Sequence, residues 1–347
     1  MPDYNLEKII SHSQKDLLST QDWPKEDLDE VLKYAFDIKA HPAKYLNELK
    51  GKSVALFFFN PSTRTQNSIQ VGMAQLGGYT VFNDPNYTWW GQESESIKDT
   101  AKVLSRFHYA TAIRMFPNRV DWKWGESSRQ IREFAQYSSR PVINLEDDMY
   151  HPLQELADIM TIKEKLGDQR KKKIVIQWVY HPKPLPMSVT NSIATITTRY
   201  GMDVTLCCPP GYELHDTIMA NCRQNASESG GKFTVSHNIR EGYSDADVVY
   251  VKSWGSVKHY GDPREEKQLR MPYRDEWTCK QEYMEWTKKN SIFMHCLPVR
   301  RNIEVTDEVI DGPRSVVYDE AENRLHTVKA ALCYLMRNPF ANRPTFY

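Results

Sequence analysis

A run of hydroxyl and guanidinium side chains follows the hydrophobic stretch SVALFFFNP, and its members are Ser62, Thr63, Arg64 and Thr65. Apolar residues then recur at helical spacing as far as Leu76, which predicts that the run opens a helix. The free N–H groups at a helix N-terminus favour an anion, and a guanidinium pairs well with phosphate oxygens. The run therefore predicts a phosphate-binding site, while helix capping by Ser62 or Thr63 with an exposed Arg64 is the alternative.

Two other predicted strand ends carry polar side chains that could act on a carbonyl group. Arg114 follows the apolar stretch TAI, where it could hold the same phosphate, a carbonyl oxygen or only a surface carboxylate. In HPLQ, Pro152 fits the first position of a helix, so His151 and Gln154 lie at its opening. His151 could donate a hydrogen bond to a polarised carbonyl while Gln154 contacts an adjacent amide. A capping or buried histidine would explain the same pattern.

The motif HCLP closes the hydrophobic stretch SIFM and places a cysteine at a further strand end. Cys296 could be a nucleophile, a soft contact for a substrate amine or a buried small side chain. No second cysteine or histidine stands at ligand spacing from His295 and Cys296, so the sequence predicts no metal site.

Two loops have an unusual composition. The segment YHPKPLP, residues 180–186, places three prolines after a predicted strand and should form a stiff, extended loop. The segment KSWGS, residues 252–256, ends its strand with a tryptophan beside a glycine. Both lie where a substrate would enter, although packing alone would also explain them.

The elements that must position these residues follow from the order of apolar and amphipathic segments. In the first half the predicted strands are SVALFFF, YTVF, TAIRMF and PVINL, and the predicted helices cover residues 65–76, 94–107, 127–137 and 152–166. In the second half the predicted strands are KIVIQWV, DVTLCC, FTVSH, DVVYVKSW, SIFMHCL and SVVYD, followed by a last helix over residues 322–336. Such alternation predicts an α/β fold with two doubly wound parallel-sheet domains joined by helices. Ligands then gather beyond the carboxyl ends of the strands.

The length of the chain sets the number of domains. A chain of 347 residues is too long for one ordinary core and fits two domains. The predicted divisions are residues 1–150, residues 151–321, and a C-terminal helix and tail over residues 322–347 that pack back on the first domain. The boundary near His151 makes the helix at Pro152 the connector.

Composition excludes several classes of partner. Lys plus Arg and Asp plus Glu both number 45, so no net charge favours a nucleic acid or an acidic membrane. No apolar run approaches the roughly 20 residues that span a bilayer, and the N-terminus shows no signal-peptide core. The six cysteines lie scattered without a CxxC pair, which predicts a reducing cytoplasm. The expected partner is a small molecule.

The motifs STRT, HPLQ and HCLP occur in the order and spacing typical of the carbamoyltransferase superfamily, which the chain resembles over nearly its whole length. That superfamily includes the aspartate and ornithine carbamoyltransferases. Within it the chain is most similar to N-acetylornithine carbamoyltransferases, with N-succinylornithine enzymes next. Ordinary ornithine enzymes usually carry Ser-Met-Gly at the position of Ser253-Trp254-Gly255, and they lack the segment YHPKPLP. The resemblance also implies a knotted second domain, a feature that is otherwise very rare.

The resemblance implies that the chain transfers a carbamoyl group from carbamoyl phosphate to the side-chain amine of N-acetyl-L-ornithine. This step of arginine biosynthesis gives N-acetyl-L-citrulline and phosphate and needs no cofactor. The implied catalytic residues are Arg114, His151 and Cys296. The implied ligands of carbamoyl phosphate are Ser62, Thr63, Arg64, Thr65, Gln154, Leu297 and Arg324, joined by Trp90 or its neighbour Trp89 from another subunit of a homotrimer with shared active sites. The implied ligands of the acylated amino acid are Glu146, His181, Lys183, Lys252, Ser253, Trp254 and Glu304.

Three features depart from the pattern of these relatives. Gln66 stands where most relatives have a second arginine after STRT, the loop between Phe82 and Ser94 is short, and Glu304 occupies the position of a carboxylated lysine. The departures leave two alternatives open. One is the same chemistry with N-succinylornithine, ornithine or a polyamine, and the other is a non-catalytic member that binds an anionic metabolite.

Overall fold

A parallel sheet forms the first lobe, because strands that helices cover on both faces carry apolar side chains at consecutive positions. The computed structural model describes residues 16–337 of the chain. The strands of this sheet are β1 (Ser53–Phe58), β2 (Tyr79–Asn83), β3 (Ala110–Arg114) and β4 (Val142–Glu146). Their order is β2-β1-β3-β4, and all of them run parallel. The side chains of β1, β3 and β4 are buried at every position, whereas the edge strand β2 is mostly exposed.

A second parallel sheet forms the other lobe. Its strands are β5 (Lys173–Trp178), β6 (Asp203–Cys207), β7 (Lys232–Ser236), β8 (Val248–Lys252) and β9 (Ile292–Met294). Their order is β7-β6-β5-β8-β9, so the chain reverses its direction of winding after β7. A reversal of this kind opens a crevice at the carboxyl ends of the central strands.

Helices connect and cover the strands. The α-helices are α1 (Lys25–Ala40), α2 (Thr63–Gln75), α3 (Ile97–Phe107), α4 (Glu126–Tyr137), α5 (Pro152–Leu166), α6 (Ser188–Arg199), α7 (Asp216–Ser229), α8 (Ile239–Tyr243), α9 (Pro263–Leu269), α10 (Gln281–Met284), α11 (Asp307–Ile310) and α12 (Val317–Met336). Short 3₁₀ helices cover Thr20–Asp22, Pro42–Tyr45, Pro85–Tyr87, Pro117–Val120 and Met271–Tyr273.

Two helices, α5 and α12, join the lobes. The first eleven residues of α5 are all buried, because α5 packs against α1 and α12 on one side and against α6 of the second lobe on the other. Helix α12 also packs against α1 and α2, so the C-terminal helix lies on the first lobe. Residues 338–347 of the predicted tail are outside the described residues. Since α5 belongs to both lobes by its contacts, the predicted domain division at residue 150 stays a prediction.

The predicted α/β fold with two parallel sheets is confirmed, and one predicted strand is wrong. The segment SVVYD does not form a strand, because Ser315 makes only an isolated bridge to Phe293. Helix α12 instead begins at Val317, five residues before the predicted start at Glu322. An apolar run of three residues at the edge of a core fits a strand and a helix opening equally well. Helix α1 has no counterpart among the predicted helices.

A set of aromatic rings forms a second contact between the lobes. Trp122 and Trp124 lie in the loop between β3 and α4, and His215 and Tyr260 belong to the second lobe. The rings of Trp124 and His215 stack with centroids 4.9 Å apart and planes inclined by 16°. Trp122 and Trp124 also meet Tyr260 edge-on at 5.5 Å and 5.1 Å. We call these four residues the interlobe aromatic contact.

The proline-rich loop and the KSWGS loop lie side by side in the second lobe. The amide of Gly255 donates a hydrogen bond of 2.9 Å to the carbonyl of Leu185, and the indole of Trp178 donates one of 2.9 Å to the carbonyl of Trp254. The predicted knot in this lobe stays a prediction. Over the described residues, no helix is long and apolar enough to cross a membrane.

Candidate active site

A cavity of about 580 Å³ lies between the lobes, at the carboxyl ends of β1, β3 and β4 in one sheet and of β5, β8 and β9 in the other. This position follows from the parallel topology of both sheets. Fourteen of the predicted site residues line the cavity: Ser62, Thr63, Arg64, Thr65, Arg114, Glu146, His151, Gln154, His181, Lys252, Cys296, Leu297, Glu304 and Arg324. Motifs that are far apart in the sequence therefore share one site.

The opening of α2 forms the anion-binding wall of the cavity. Ser62 is the N-cap residue, and the structure shows no capping bond from its side chain to the described residues. The alternative of simple helix capping by Ser62 therefore has no support, and the N–H groups of the first turn keep their capacity to bind an anion. Arg64 lines the same wall, where burial lowers the pKa of its guanidinium from 12.5. It remains charged at any physiological pH.

Arg114 reaches the site because of an irregularity between β3 and β4. The register shifts by one residue there, so that Arg114 lies opposite Glu146. Such bulges re-aim side chains at strand ends. A buried ion pair joins Arg114 Nη1 to Glu146 Oε2, and the other carboxylate oxygen accepts a 2.8 Å hydrogen bond from Ser188 of the second lobe. The Arg114 guanidinium also lies 4.3 Å from the ring centre of Phe116.

His151 is held as a neutral imidazole. Burial lowers its pKa well below 6.5, and the positive charges of Arg324, Arg114 and Arg64 act in the same direction. Its Nε2 atom lies 3.5 Å from Glu146 Oε2, while Nδ1 has no hydrogen-bond partner among residues 16–337. A neutral imidazole carries one N–H, so His151 can donate one hydrogen bond to a substrate oxygen without bearing a charge.

Arg324 and Gln154 link the first turn of α2 to the joining helices. Arg324 Nη2 donates a 2.9 Å hydrogen bond to Thr65 Oγ1, and Arg324 Nη1 donates to Gln154 Oε1. Burial lowers the pKa of Arg324 to about 10, which still leaves it charged near neutral pH. The guanidinium groups of Arg64, Arg114 and Arg324 therefore converge on the cavity beside the N-terminus of α2.

The HCLP loop borders the centre of the cavity with Cys296 and Leu297. Burial raises the pKa of the Cys296 thiol to about 12, so the thiol stays protonated and is a poor nucleophile near neutral pH. Leu297 has φ +53°, a backbone conformation that costs a non-glycine residue about 1–3 kcal/mol. Its amide donates a 2.8 Å hydrogen bond to His295 Nδ1, and the peptide bond to Pro298 is cis.

The far end of the cavity combines one carboxyl group with several basic groups. Glu304 Oε2 accepts a 2.7 Å hydrogen bond from the Arg300 amide, whereas Glu304 Oε1 is buried without a partner in the described part of the chain. Burial raises the pKa of Glu304, and the charge of Lys252 opposes that rise. Arg300 Nε donates a 2.8 Å hydrogen bond to His181 Nε2. Burial lowers the pKa of His181 to about 4, so this ring accepts that bond as the neutral form.

Four predicted site residues do not line the cavity. Trp90 is buried in the first lobe with its ring 5.0 Å from the rings of Phe57 and Phe59, whereas Trp89 is 68% exposed. Of the two rings, that of Trp89 is therefore the one that another subunit could contact. The remaining three are Lys183, Ser253 and Trp254.

These three residues support the loops around the cavity. Lys183 points to solvent, and its backbone bonds to the ring of His181 at 2.8 Å and 3.1 Å. Ser253 Oγ accepts a 2.8 Å hydrogen bond from Arg270, and the Trp254 indole donates one of 2.8 Å to the Tyr212 carbonyl. Both side chains are fully buried. They fix the loop that follows Lys252.

Sequence reasoning missed several residues that line or support the cavity. They are Phe116, Ser188, Val189 and Arg300, whereas Leu185 and Pro186 belong to the proline-rich loop that was predicted to lie where a substrate enters. Ser188 lies two residues after the proline-rich loop and opens α6, so a polar residue after a run of prolines was a usable signal. Arg300 lies in the segment VRRN after HCLP, and a cation just beyond a predicted strand end was a second usable signal. Phe116 and Val189 gave no signal that distinguished them from core residues.

The two halves of the chain match two family descriptions. Residues 15–164 match the carbamoyl-P binding domain of aspartate/ornithine carbamoyltransferase, and residues 185–335 match its Asp/Orn binding domain. An N-acetylornithine carbamoyltransferase of Xanthomonas campestris pv. campestris is 44% identical over 338 residues, which cover 93% of this chain and 98% of the relative. An ornithine carbamoyltransferase of Thermococcus kodakarensis is 37% identical over 330 residues, which cover 94% and 98%.

A solved structure is similar over nearly the whole fold. It is an acetylornithine transcarbamylase complexed with acetylcitrulline, with a TM-score of 0.86 and 42% sequence identity. The superposition covers 93% of this chain and 99% of that chain. Both lobes and their arrangement are therefore shared with that protein.

Proposed function

Because the chain belongs to the aspartate/ornithine carbamoyltransferase family, we propose that it transfers the carbamoyl group of carbamoyl phosphate to N-acetyl-L-ornithine. The products are N-acetyl-L-citrulline and phosphate, a step of arginine biosynthesis. The observation that carries the proposal is the convergence of three guanidinium groups and an uncapped helix N-terminus on one cavity that also reaches the second lobe. That combination suits a dianionic donor on one side and an amino-acid acceptor on the other.

The donor would bind with its phosphate on the first turn of α2 and Arg64. Carbamoyl phosphate is already activated, so the main task of the protein is to align the two substrates. As the acceptor amine attacks the carbamoyl carbon, negative charge grows on the carbonyl oxygen. Arg114, His151 and Thr65 line the cavity where they can stabilise that charge, and Arg64 with the helix N-terminus stabilises the phosphate as the C–O bond breaks.

The acceptor would occupy the end of the cavity near Lys252, Arg300 and Glu304. Lys252 and Arg300 are suitable partners for its α-carboxylate. The unpaired oxygen of Glu304 faces a predominantly basic environment and could accept the N–H of the acylated amino group. Glutamate thus supplies a carboxyl group here without any modification of a lysine.

The test is a colorimetric assay for the carbamoylated product with carbamoyl phosphate and a panel of acceptors. We expect the highest kcat/KM with N-acetyl-L-ornithine, and lower values with N-succinyl-L-ornithine, L-ornithine and a polyamine. A higher value with one of the other amines would assign the same chemistry to that acceptor. Binding of carbamoyl phosphate without any product from the panel would instead indicate a non-catalytic member of the family.

We also propose a cytoplasmic homotrimer whose neighbouring subunit contributes Trp89 to the site. Exposed apolar side chains along β2 and the following loop support an interface with a neighbouring subunit at that surface. They are Tyr79, Val81, Phe82 and Trp89. The six cysteines are free and buried, which suits a reducing compartment.

A shared site has a direct test, because mixtures of the variants Trp89→Ala and Arg64→Ala should regain activity that each lacks alone. Failure to regain activity, together with a monomeric mass in solution, would contradict the proposal.

A further inference from the structure

Two buried carboxyl groups lie behind the cavity and have no part in the mechanism above. Asp158 is on α5 and Glu320 is on α12, and both side chains are fully buried. Neither residue lines the cavity. Buried carboxyls need partners, and the partners of these two lead directly to the reacting end of the donor site.

Both carboxyls hold the side-chain amide of Gln154. Gln154 Nε2 donates hydrogen bonds of 2.8 Å to Asp158 Oδ1 and 3.0 Å to Glu320 Oε1, while Gln154 Oε1 accepts from Arg324. Gln154 and Asp158 are one helical turn apart on α5, as are Glu320 and Arg324 on α12, so the two joining helices place the four groups face to face. Both N–H groups of the amide are occupied. Only the carbonyl oxygen retains a free lone pair, and Gln154 lines the cavity.

The surrounding charges determine which way this amide points. In the reverse orientation its NH₂ group would meet Arg324, which can only donate, and its oxygen would meet two carboxyl groups. Burial raises the pKa of both Asp158 and Glu320, and their mutual repulsion adds to the rise for Glu320. Two negative charges side by side are therefore unfavourable here, and a protonated carboxyl still presents acceptor oxygens to the amide.

Glu320 has a second contact, which connects it to the HCLP loop. Its Oε2 atom accepts a 2.9 Å hydrogen bond from the His295 amide, and His295 Nδ1 in turn accepts from the Leu297 amide at 2.8 Å. Both oxygens of Glu320 thus have a backbone or side-chain donor. Asp158 receives the Gln154 bond at Oδ1.

We propose that Glu320 and Asp158 are positioning residues that hold the carbonyl oxygen of Gln154 toward the carbamoyl nitrogen, so that the site selects a carbamoyl group over an acyl group of the same shape. Glu320 also holds the HCLP loop in place, because its Oε2 atom accepts a hydrogen bond from the His295 amide. The inference rests on the proposed function, since the recognised group is the NH₂ of carbamoyl phosphate. An acyl phosphate would carry a methyl group at that position and leave the Gln154 oxygen unpaired.

The two carboxyls offer a matched pair of substitutions. In Glu320→Gln the new amide has one oxygen, which can accept from Gln154 or from His295 but not from both, and its NH₂ group must face a donor. The amide of Gln154 then turns, or the HCLP loop moves. In Asp158→Asn one oxygen still accepts from Gln154, and the NH₂ group replaces Oδ2, which has no hydrogen-bond partner among the described residues. This variant preserves the arrangement and serves as the control.

The test compares two phosphonates that differ only in the recognised group. Phosphonoacetamide carries NH₂ where acetonylphosphonate carries CH₃, and both are titrated into the full-length protein by calorimetry. We expect the wild-type protein to bind phosphonoacetamide about tenfold more tightly than acetonylphosphonate, because the methyl group of the latter leaves the buried oxygen of Gln154 without a donor. That ratio should fall below about threefold in Glu320→Gln and stay within about twofold of the wild-type value in Asp158→Asn.

Several results would overturn the inference. One is an equal affinity of the wild-type protein for the two phosphonates, and another is an equal loss of the ratio in both variants, which indicates a general loss of stability. The inference would also be overturned if Glu320→Gln kept the wild-type ratio of affinities for the two phosphonates. If Glu320→Gln does not fold, Asp158→Leu replaces it, because leucine removes an acceptor of Gln154 without touching the HCLP loop, and it should lower the ratio where Asp158→Asn does not. If the wild-type protein binds neither phosphonate, the proposed function itself fails.

Discussion

Arg114 connects the chemistry of the first lobe to the second lobe. Its partner Glu146 is bonded on one side to Arg114 and on the other to Ser188 at the start of α6. The Arg114 guanidinium therefore has a fixed direction before any ligand arrives. A preorganised cation of this kind contributes most where negative charge develops during a reaction.

Loss of Arg114 or of His151 should slow the reaction strongly. We expect Arg114→Ala and His151→Ala each to lower kcat by roughly a hundredfold or more, the usual effect of removing one donor to a developing oxyanion. The steady-state rate with carbamoyl phosphate and the preferred amine measures this. Arg129→Ala is the control, because within residues 16–337 the side chain of Arg129 pairs with Glu126 and Glu133 on the exposed face of α4. Near-normal rates in Arg114→Ala and His151→Ala would remove both residues from the mechanism.

The pH dependence of the reaction should reflect the substrate amine rather than His151. Because the pKa of His151 lies well below 6.5, the ring stays neutral above that pH and adds no inflection there. The attacking amine must lose its proton, so kcat/KM should rise steadily from pH 7 toward alkaline pH. The measurement is a profile from pH 6 to pH 10. An inflection near pH 6.5 that disappears in His151→Asn would show that the imidazole becomes charged.

At the scale of secondary structure, the site depends on the exact placement of α2 after β1. The helix ends at Gln75, and the chain turns back to β2 through Gly77 and Gly78. Gly77 has φ +80°, and a Cβ atom at this position would lie 2.8 Å from the carbonyl oxygen of Leu46. This turn fixes the direction of the helix whose other end binds the anion.

Substitution of Gly77 should therefore reduce stability through two separate effects. Gly77→Ala adds an unfavourable backbone conformation and a close backbone contact, and we expect it to lower the free energy of unfolding by about 1–3 kcal/mol. Gly51→Ala is the matched control, because Gly51 has φ +74° and no atom of the described residues lies within 4 Å of the added Cβ. Urea unfolding followed by circular dichroism compares the two. Equal effects would show that the contact with Leu46 relaxes without penalty.

The elements of the site could largely be predicted from the sequence, because each motif lies where an apolar run ends. Helix α5 was predicted with its observed bounds, since Pro152 marks its start and Gly167 follows its end. The contacts between motifs could not be predicted, because they depend on the packing of α5 against α12. The link from Gln154 to Glu320 spans 166 residues and leaves no local pattern. Trp90 and Trp89 are adjacent in the sequence, and only tertiary packing decides which of them is buried.

At the scale of the whole molecule, among the contacts that set the angle between the two lobes around the cavity, two differ most in their burial. One is the joint of α5 and α12, which is part of the core. The other is the interlobe aromatic contact, in which Tyr260 is buried while Trp122, Trp124 and His215 are half-buried. Because a half-buried contact opens more readily than a joint in the core, we expect any opening of the cavity to separate these rings first.

The stacking of Trp124 on His215 should help to hold the cavity closed around both substrates. We expect Trp124→Ala to raise the KM of the second substrate by about two- to tenfold, the range of one aromatic pair, with a smaller change in kcat. Trp124→Phe retains a ring at this position and serves as the control. Initial rates at saturating carbamoyl phosphate give the comparison. A change in kcat alone would show that the contact affects chemistry instead of closure.

The same stacked pair gives the protein an internal optical signal. An indole 4.9 Å from an imidazole emits differently from an indole in water, so the fluorescence of Trp124 should report the distance between the lobes without any attached dye. The chain contains nine tryptophans, and the difference between the spectra of the natural protein and Trp124→Phe isolates this one. Rapid mixing with each substrate in turn would then show in real time which of the two brings the lobes together.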